Sequence, residues 1–221
     1  MRTPPPKSPA AGPHAATRTQ LLEAAGAVFA EVGFRDTTVR EVCRRAGANV
    51  AAVNYHFGDK DGLYAEVLRY AHVKAFEAHP VLPGVTEKTP PAEKLRVFVH
   101  SFLQRIFDKG PASWHGRLMS REMIEPTAAM DSLVAERIRP MAGVLWQIVG
   151  EILGLPVTDE RVRQCAFSVV SQCVFYHHCR PVVTRLHPGY LPLDKAGIER
   201  LAAHITDFSL AAMKHLPALK K

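Results

Sequence analysis

The sequence predicts an all-α protein: an N-terminal unit of three helices, two of them short and joined by a tight turn, followed by a larger helical body. Three observations predict it. Apolar residues recur at helical spacing along most of the 221 residues. Glycines at 33 and 47 fall where such stretches stop, and four prolines between His79 and Pro91 interrupt helical continuation. No segment alternates apolar and polar residues convincingly enough for a sheet, and no internal repeat is present.

The first helix spans Thr17 to Val32. Leu21, Leu22, Ala25, Val28, Phe29 and Val32 form a wide apolar stripe on it. Gly33 ends it, and Phe34 can fold back onto the same core. Thr38 can cap a second helix over about Val39–Ala46, whose stripe is Val39, Val42, Cys43 and Ala46. Gly47 follows, where a left-handed backbone costs a glycine little. Asn49 can cap a third helix over about Val50–Phe57, with a narrow buried edge at Val53 and Phe57. Phe29, Phe34, Val42, Val53 and Phe57 are the expected shared core. Cys43 belongs to that packing.

This is a helix-turn-helix, and its last helix projects outward, where it can enter a DNA major groove. Val50, Ala51, Ala52, Asn54, Tyr55 and His56 include the exposed face. Small side chains let the backbone approach base edges, their methyls can meet thymine methyls, and Asn54 can pair with a base or a phosphate. Thr38, Tyr55, His56 and Lys60 suit phosphate oxygens, contacts that fix register without reading sequence. Arg40 and Arg44 on the preceding helix can add to them or be ordinary solvated arginines. Spacing alone leaves open a plain surface helix, because this geometry also occurs in proteins that do not bind DNA.

The stretch LLEAAGAVFAEVGFRDTTVREVCRRAGANVAAVNYHFGDKDGLYAEVL resembles the DNA-binding domain of tetracycline-repressor-type (TetR family) regulators. The opening helix, Gly33-Phe34, Thr37-Thr38, Ala46-Gly47 and Tyr55-His56-Phe57 followed by Lys60 match in order. The resemblance implies a homodimeric transcription factor, usually a repressor, released from a palindromic operator in double-stranded DNA by a small molecule. It assigns Thr37 and Thr38 to the DNA backbone. Asn49, Val50, Ala51 and Ala52 fall at the base-reading start of the recognition helix, and Asn54, Tyr55 and His56 on its second turn. Lys60 is assigned to a phosphate. Val53-Asn54 stands where many members carry Leu-Tyr, which leaves open whether Asn54 or Tyr55 makes the main phosphate contact.

Composition agrees. The chain has room for a small domain and a larger one, expected as a disordered arm over 1–15, the helix-turn-helix domain over 16–62, and an effector-binding and dimerisation domain over 63–217. The start, MRTPPPKSPAAGPHAA, has no apolar core, so no secretory signal is expected. It can reach along DNA or play no part. No run is long and apolar enough to span a membrane, and the expected location is cytoplasmic, with no membrane partner. The net charge of +7 and pI of 9.4 suit a polyanionic partner. The charge is not concentrated in the motif, since residues 1–70 hold nine Lys or Arg against seven Asp or Glu. Four cysteines without a secretory signal read as cytosolic thiols.

Beyond Arg69 the chain reads as helical almost throughout; a helix starting near Asp61, with Leu63, Tyr64, Val67, Leu68 and Ala71 apolar, is the one that in the resembling family links the DNA-binding unit to the body. Further helices are expected over about Ala92–Phe107, Ser113–Ile124, Ala128–Leu153, Asp159–Cys179 and Asp194–Lys214. The last two carry Cys165, Phe167, Val169, Val170 and Val174, then Leu201, Ile205, Phe208 and Leu210. In the resembling family these helices form a four-helix dimer bundle; the alternative is that they face their own core. Candidate ligand contacts are Phe107, Trp114, His115, Arg121, Glu122, Trp146, Phe175 and His178, with Phe102, Ile106, Met119, Met123 and Tyr176 beside them. Aromatic and methionine residues at such spacing also build plain cores. The segment RLMSREMIEP resembles a branch with a longer C-terminal domain.

Cys173 and His177, four apart, would share a helix face as two metal ligands can. His178 and Cys179 point elsewhere, and no spaced partner pair completes a site, so no metal and no cofactor are expected. No nucleophile elbow, phosphate loop or HExxH occurs, and no catalytic residue is assigned. Two rivals remain from sequence: a metal- or thiol-responsive regulator using Cys173, and a helical enzyme or binding protein that kept the motif without using it.

Overall fold

The structure, a computed structural model, describes residues 13–108, 114–191 and 194–216. These are helical, with no strand among them, and none of the helices is long and apolar enough to cross a membrane. The chain divides into two compact units, Met1–Tyr70 and Ala71–Lys221.

In the first unit α1 (Pro13–Asp36) leads into α2 (Val39–Ala46), α3 (Val50–Phe57) and the first half of α4 (Lys60–Ala78). Most of the expected arm, residues 1–12, lies outside the described residues. The remainder, 13–15, is helical, because a proline sits well in a first turn whose N–H groups have no acceptor within the helix. Gly33 interrupts α1 with φ 87° and ψ 172°, a backbone region that is essentially glycine's alone. The chain turns there, and Phe34 comes back over Phe29 with ring centroids 6.2 Å apart.

Tyr64 completes that cluster. Its ring meets Phe29 edge-on at 4.7 Å and Phe34 at 4.9 Å. Leu63, Tyr64, Val67 and Leu68 are buried with Leu21, Val28, Val42 and Val53. The first turns of α4 thus belong to the N-terminal core. The division lies at Tyr70, later than the residue 62 boundary read from sequence, because an amphipathic linker helix must bury its stripe somewhere.

In the second unit α5 (Pro91–Phe107) packs against α8 (Arg139–Leu153), α9 (Glu160–His178) and α11 (Lys195–Lys214). Leu95, Phe98, Val99, Leu103, Ile148 and Val169 form the centre of its core. α6 (Trp114–Ile124) lies against α5. The helix expected over Ala128–Leu153 runs without a break but contains a bulge: α7 (Ala129–Leu133) passes through a π turn, Val134–Ile138, into α8. Pro140 explains it. It has no N–H to give Glu136, so the ladder loosens by one residue and Arg139 N–H bonds the Val134 carbonyl instead. A short helix not expected from sequence, α10 (Arg180–Leu186), restarts after Cys179 with Pro181 in its first turn.

Gly33→Ala forces a side chain into the glycine-only conformation. The variant is expected to lose about 1–3 kcal/mol of stability in urea unfolding followed by circular dichroism at 222 nm. Unchanged stability would mean the corner relaxes without Gly33.

Candidate nucleic-acid interface and ligand cavity

α3 is held from both ends and from below. Asn49 Oδ1 accepts the Ala52 N–H at 2.8 Å, and the Gly58 N–H returns to the Asn54 carbonyl at 3.0 Å. Val53 is fully buried. Opposite it, Val50, Ala51, Asn54 and Tyr55 are exposed, with Ala52 and His56 half-buried at the flanks. Tyr55 stands 78% exposed, supported edge-on by the His56 ring at 4.9 Å. α2 is set beside α3 by Gly47, which adopts the left-handed conformation at φ 62°, and by the Ala48 N–H bonding the Cys43 carbonyl at 3.0 Å.

The expected contact residues do not all reach this surface. Thr37 is a correction: it is only 3% exposed, and its hydroxyl donates to the Gly33 carbonyl at 2.6 Å. It locks the corner after α1 and has no hydroxyl left for a phosphate. Thr38 is exposed, and its Oγ1 accepts the Glu41 N–H at 3.2 Å, which leaves its own O–H to donate outward. Lys60 is half-buried, with its ammonium 4.6 Å above the Phe34 ring and donating to the Arg35 carbonyl at 3.1 Å. Two further N–H groups remain on it.

Arg44 and Arg45 both donate to Glu41 at 2.8 Å, and Arg45 also reaches Glu31. Hydrogen bonds from Arg44 and then Arg45 hold the Glu41 carboxyl down at about 2. These exposed pairs stabilise little. Their consequence is that much of the positive charge on α2 is already compensated, while Arg40 stands exposed on the same helix.

The second unit holds an almost wholly apolar cavity of about 450 Å³. Phe102 and Ile106 of α5, Met119 and Met123 of α6, and Val170 and Val174 of α9 wall it. Of the eight ligand contacts expected from sequence, His115 and His178 line it. The other six do not. Phe107, Trp114 and Trp146 pack into the helical body. Phe175 is exposed, Arg121 is half-buried, and Glu122 is buried accepting from the Thr127 N–H and hydroxyl.

Sequence reasoning missed His72, Phe76, Arg105 and His177 in this lining. Arg105 and His72 did carry a signal. Each falls in phase with an apolar stripe, Arg105 three after Phe102 and His72 four after Leu68, so each had to be buried.

Cys173 is 1% exposed, and burial pushes its thiol up to about 12, which leaves it an inert packing group. Among the described residues no three His, Cys, Asp or Glu side chains come together as a metal set. Of the two apolar stripes considered for dimerisation, Leu201, Ile205 and Val169 are buried within the chain. Phe167 and Phe208 are 63% and 60% exposed.

A capped short helix with a small-residue outer face on a three-helix core has the geometry of a helix-turn-helix, and the second unit carries a cavity of its own. Residues 21–67 match the family "Bacterial regulatory proteins, tetR family". Residues 91–213 match "HTH-type transcriptional dual regulator CecR, C-terminal domain". The chain belongs to the TetR family of transcriptional regulators, in the group that carries the CecR C-terminal domain.

It is similar to the HTH-type transcriptional dual regulator CecR of Shigella flexneri, at 24% identity over 86% of this chain and 87% of that protein. It is also similar to the HTH-type transcriptional repressor NicS of Pseudomonas putida, at 24% identity over 90% and 92%. The fold matches a TetR-like transcriptional regulator from Rhodococcus sp. RHA1, with a TM-score of 0.64, 20% identity, and coverage of 93% and 99%.

Thr37→Val keeps shape and removes the buried hydrogen bond. It should cost about 1–3 kcal/mol in denaturant unfolding, because the Gly33 carbonyl loses its partner. The salt dependence of DNA binding, measured on the folded variant, should be unchanged. A shallower slope would return Thr37 to the DNA backbone.

Proposed function

We propose that this protein acts as a homodimer on a palindromic operator in double-stranded DNA, represses transcription there, and is released when a small molecule fills the cavity of the C-terminal unit. The observation that carries the DNA-binding reading is the outer face of α3: small side chains beside a 78% exposed Tyr55, on a helix rigidly capped at both ends. Asn49, Val50, Ala51 and Ala52 meet base edges. Thr38, Asn54, Tyr55, His56 and Lys60 meet the backbone, which sets register. Thr37 acts behind them as a positioning residue.

Repression is supported by NicS being named a repressor, while CecR is named a dual regulator. A second copy is supported by Phe167, Phe175 and Phe208, large aromatic side chains left in water on α9 and α11. Two copies would hold two recognition helices about one DNA turn, or a multiple, apart. The role is binding throughout, with no catalytic step.

The test is fluorescence anisotropy of the full-length protein on DNA flanking its own gene and on unrelated DNA, across a salt series. Selective, steeply salt-dependent binding is expected. Tyr55→Ala and Lys60→Ala should weaken binding to all sequences, Lys60→Ala also reducing the salt slope by about 1. Ala52→Gln should change which operator positions are preferred. If all three variants bind like the parent, the assigned interface is wrong.

A further inference from the structure

The polar groups of the cavity do not match its walls. Arg105 is 2% exposed. One of its terminal nitrogens, Nη1, donates to the His79 carbonyl and to Ser101 Oγ, both at 2.7 Å. The other, Nη2, is buried with no hydrogen-bond partner. The guanidinium lies 4.5 Å from the centre of the Phe76 ring and 5.7 Å from that of Phe102. No Asp or Glu lines the cavity among the described residues. Burial pulls Arg105 down to about 10, which still leaves it charged at neutral pH.

Two imidazoles share the predicament. His115 is 7% exposed, and neither of its ring nitrogens has a partner. The His72 ring lies 5.6 Å from that of His115, stacked on Phe76, and its Nδ1 is also unpartnered. Burial foremost pulls His115 down to about 4, with Arg105 and His177 adding, and His72 down to about 3, with His115, Arg137 and Arg105 adding; Asp108 acts the other way on His115 and is outweighed. Both rings are therefore neutral, and each has one N–H to give.

A buried guanidinium with an idle N–H pair and no carboxylate in hydrogen-bond contact is costly unless something completes it. A neutral acceptor would satisfy the hydrogen bonds and leave the charge uncompensated. A carboxylate does both, in the planar geometry a guanidinium favours.

We propose that the cavity binds an organic monocarboxylate, its apolar body among Phe102, Ile106, Met119 and Val174 and its carboxylate on Arg105 Nη2 and His115. This names the ligand class of the cavity and rests on the reading of that cavity as the effector site.

The experiment is isothermal titration calorimetry of the full-length protein with octanoate and 4-phenylbutyrate, against the matching alcohols 1-octanol and 4-phenylbutan-1-ol. The carboxylates should bind about tenfold or more tighter than the alcohols. Arg105→Met should abolish that preference while alcohol binding persists. On the parent protein, carboxyl-labelled octanoate followed by carbon-13 NMR should titrate below the free acid when bound, which needs no variant to fold.

Alcohols binding as tightly as carboxylates, no carboxylate binding at millimolar concentration, a preference that survives in Arg105→Met, or a bound carboxyl titrating above the free acid would each overturn the proposal. Operator release is read on the same samples. Carboxylates that bind through Arg105 without releasing DNA sustain the ligand class and refute the effector reading. Release by alcohols and carboxylates alike, indifferent to Arg105, does the reverse.

Discussion

An eight-residue helix has negligible stability of its own in water, and the N-terminal unit is organised around that constraint. α3 contributes one fully buried side chain, Val53, and draws the rest of its order from outside. Asn49 closes its first turn. The Arg18 guanidinium lies 5.4 Å from the centre of the Phe57 ring at its last turn, and Arg18 is itself tied to Glu66 on α4, which also pairs with Arg69. Stability therefore resides in Phe29, Tyr64, Val53 and the caps, and the outer residues of α3 are left out of it. Such a division lets the surface of α3 change its chemistry without endangering the fold that presents it.

The second unit is governed by α5, whose residues are buried against α8, α9 and α11. A charged residue in such a helix is weak evidence for stability, since a hydrophobic side chain of similar volume commonly does as well. Arg105 has a partial structural justification: with Ser101, which donates to the Pro80 carbonyl, it ties down the chain leaving α4 at His79 and Pro80. That task uses Nη1 alone. An uncharged donor could perform it, so the charge and the idle Nη2 call for a second reason, and the adjoining cavity supplies one.

The ends of α2 and α3 were legible in the sequence to the residue. Thr38, Gly47 and Asn49 mark the bounds of α2 and α3 because capping depends on side chains within three positions of the backbone they serve. The π turn and α10 were not legible, because Pro140 and Pro181 read equally as breaks or as first-turn residues until neighbouring helices decide. Thr37 was misplaced because a family position says which residue lies near DNA, whereas the direction of its hydroxyl depends on the Gly33 corner. The cavity was half legible. Which of many apolar residues line an empty space depends on how helices pack: Trp114 and Phe107 fill the core while Phe76, Phe102 and Met119, of like size and character, border the void.

The two units share one helix. α4 contributes Leu63, Tyr64 and Val67 to the N-terminal core, and two turns later His72 and Phe76 to the wall of the cavity. If the cavity is the effector site, a ligand that engages His72 and Phe76 differently in the DNA-bound and free proteins acts on the helix that also carries Tyr64. Tight binding alone does nothing; only the difference in affinity between the two states moves the equilibrium. By linkage, DNA must then lower ligand affinity by the factor by which ligand lowers DNA affinity. The cluster of neutral imidazoles around one uncompensated cation is well suited to that task. If the cavity is the effector site, shifts of His72 against Arg105 change a buried charge–dipole interaction that little water screens.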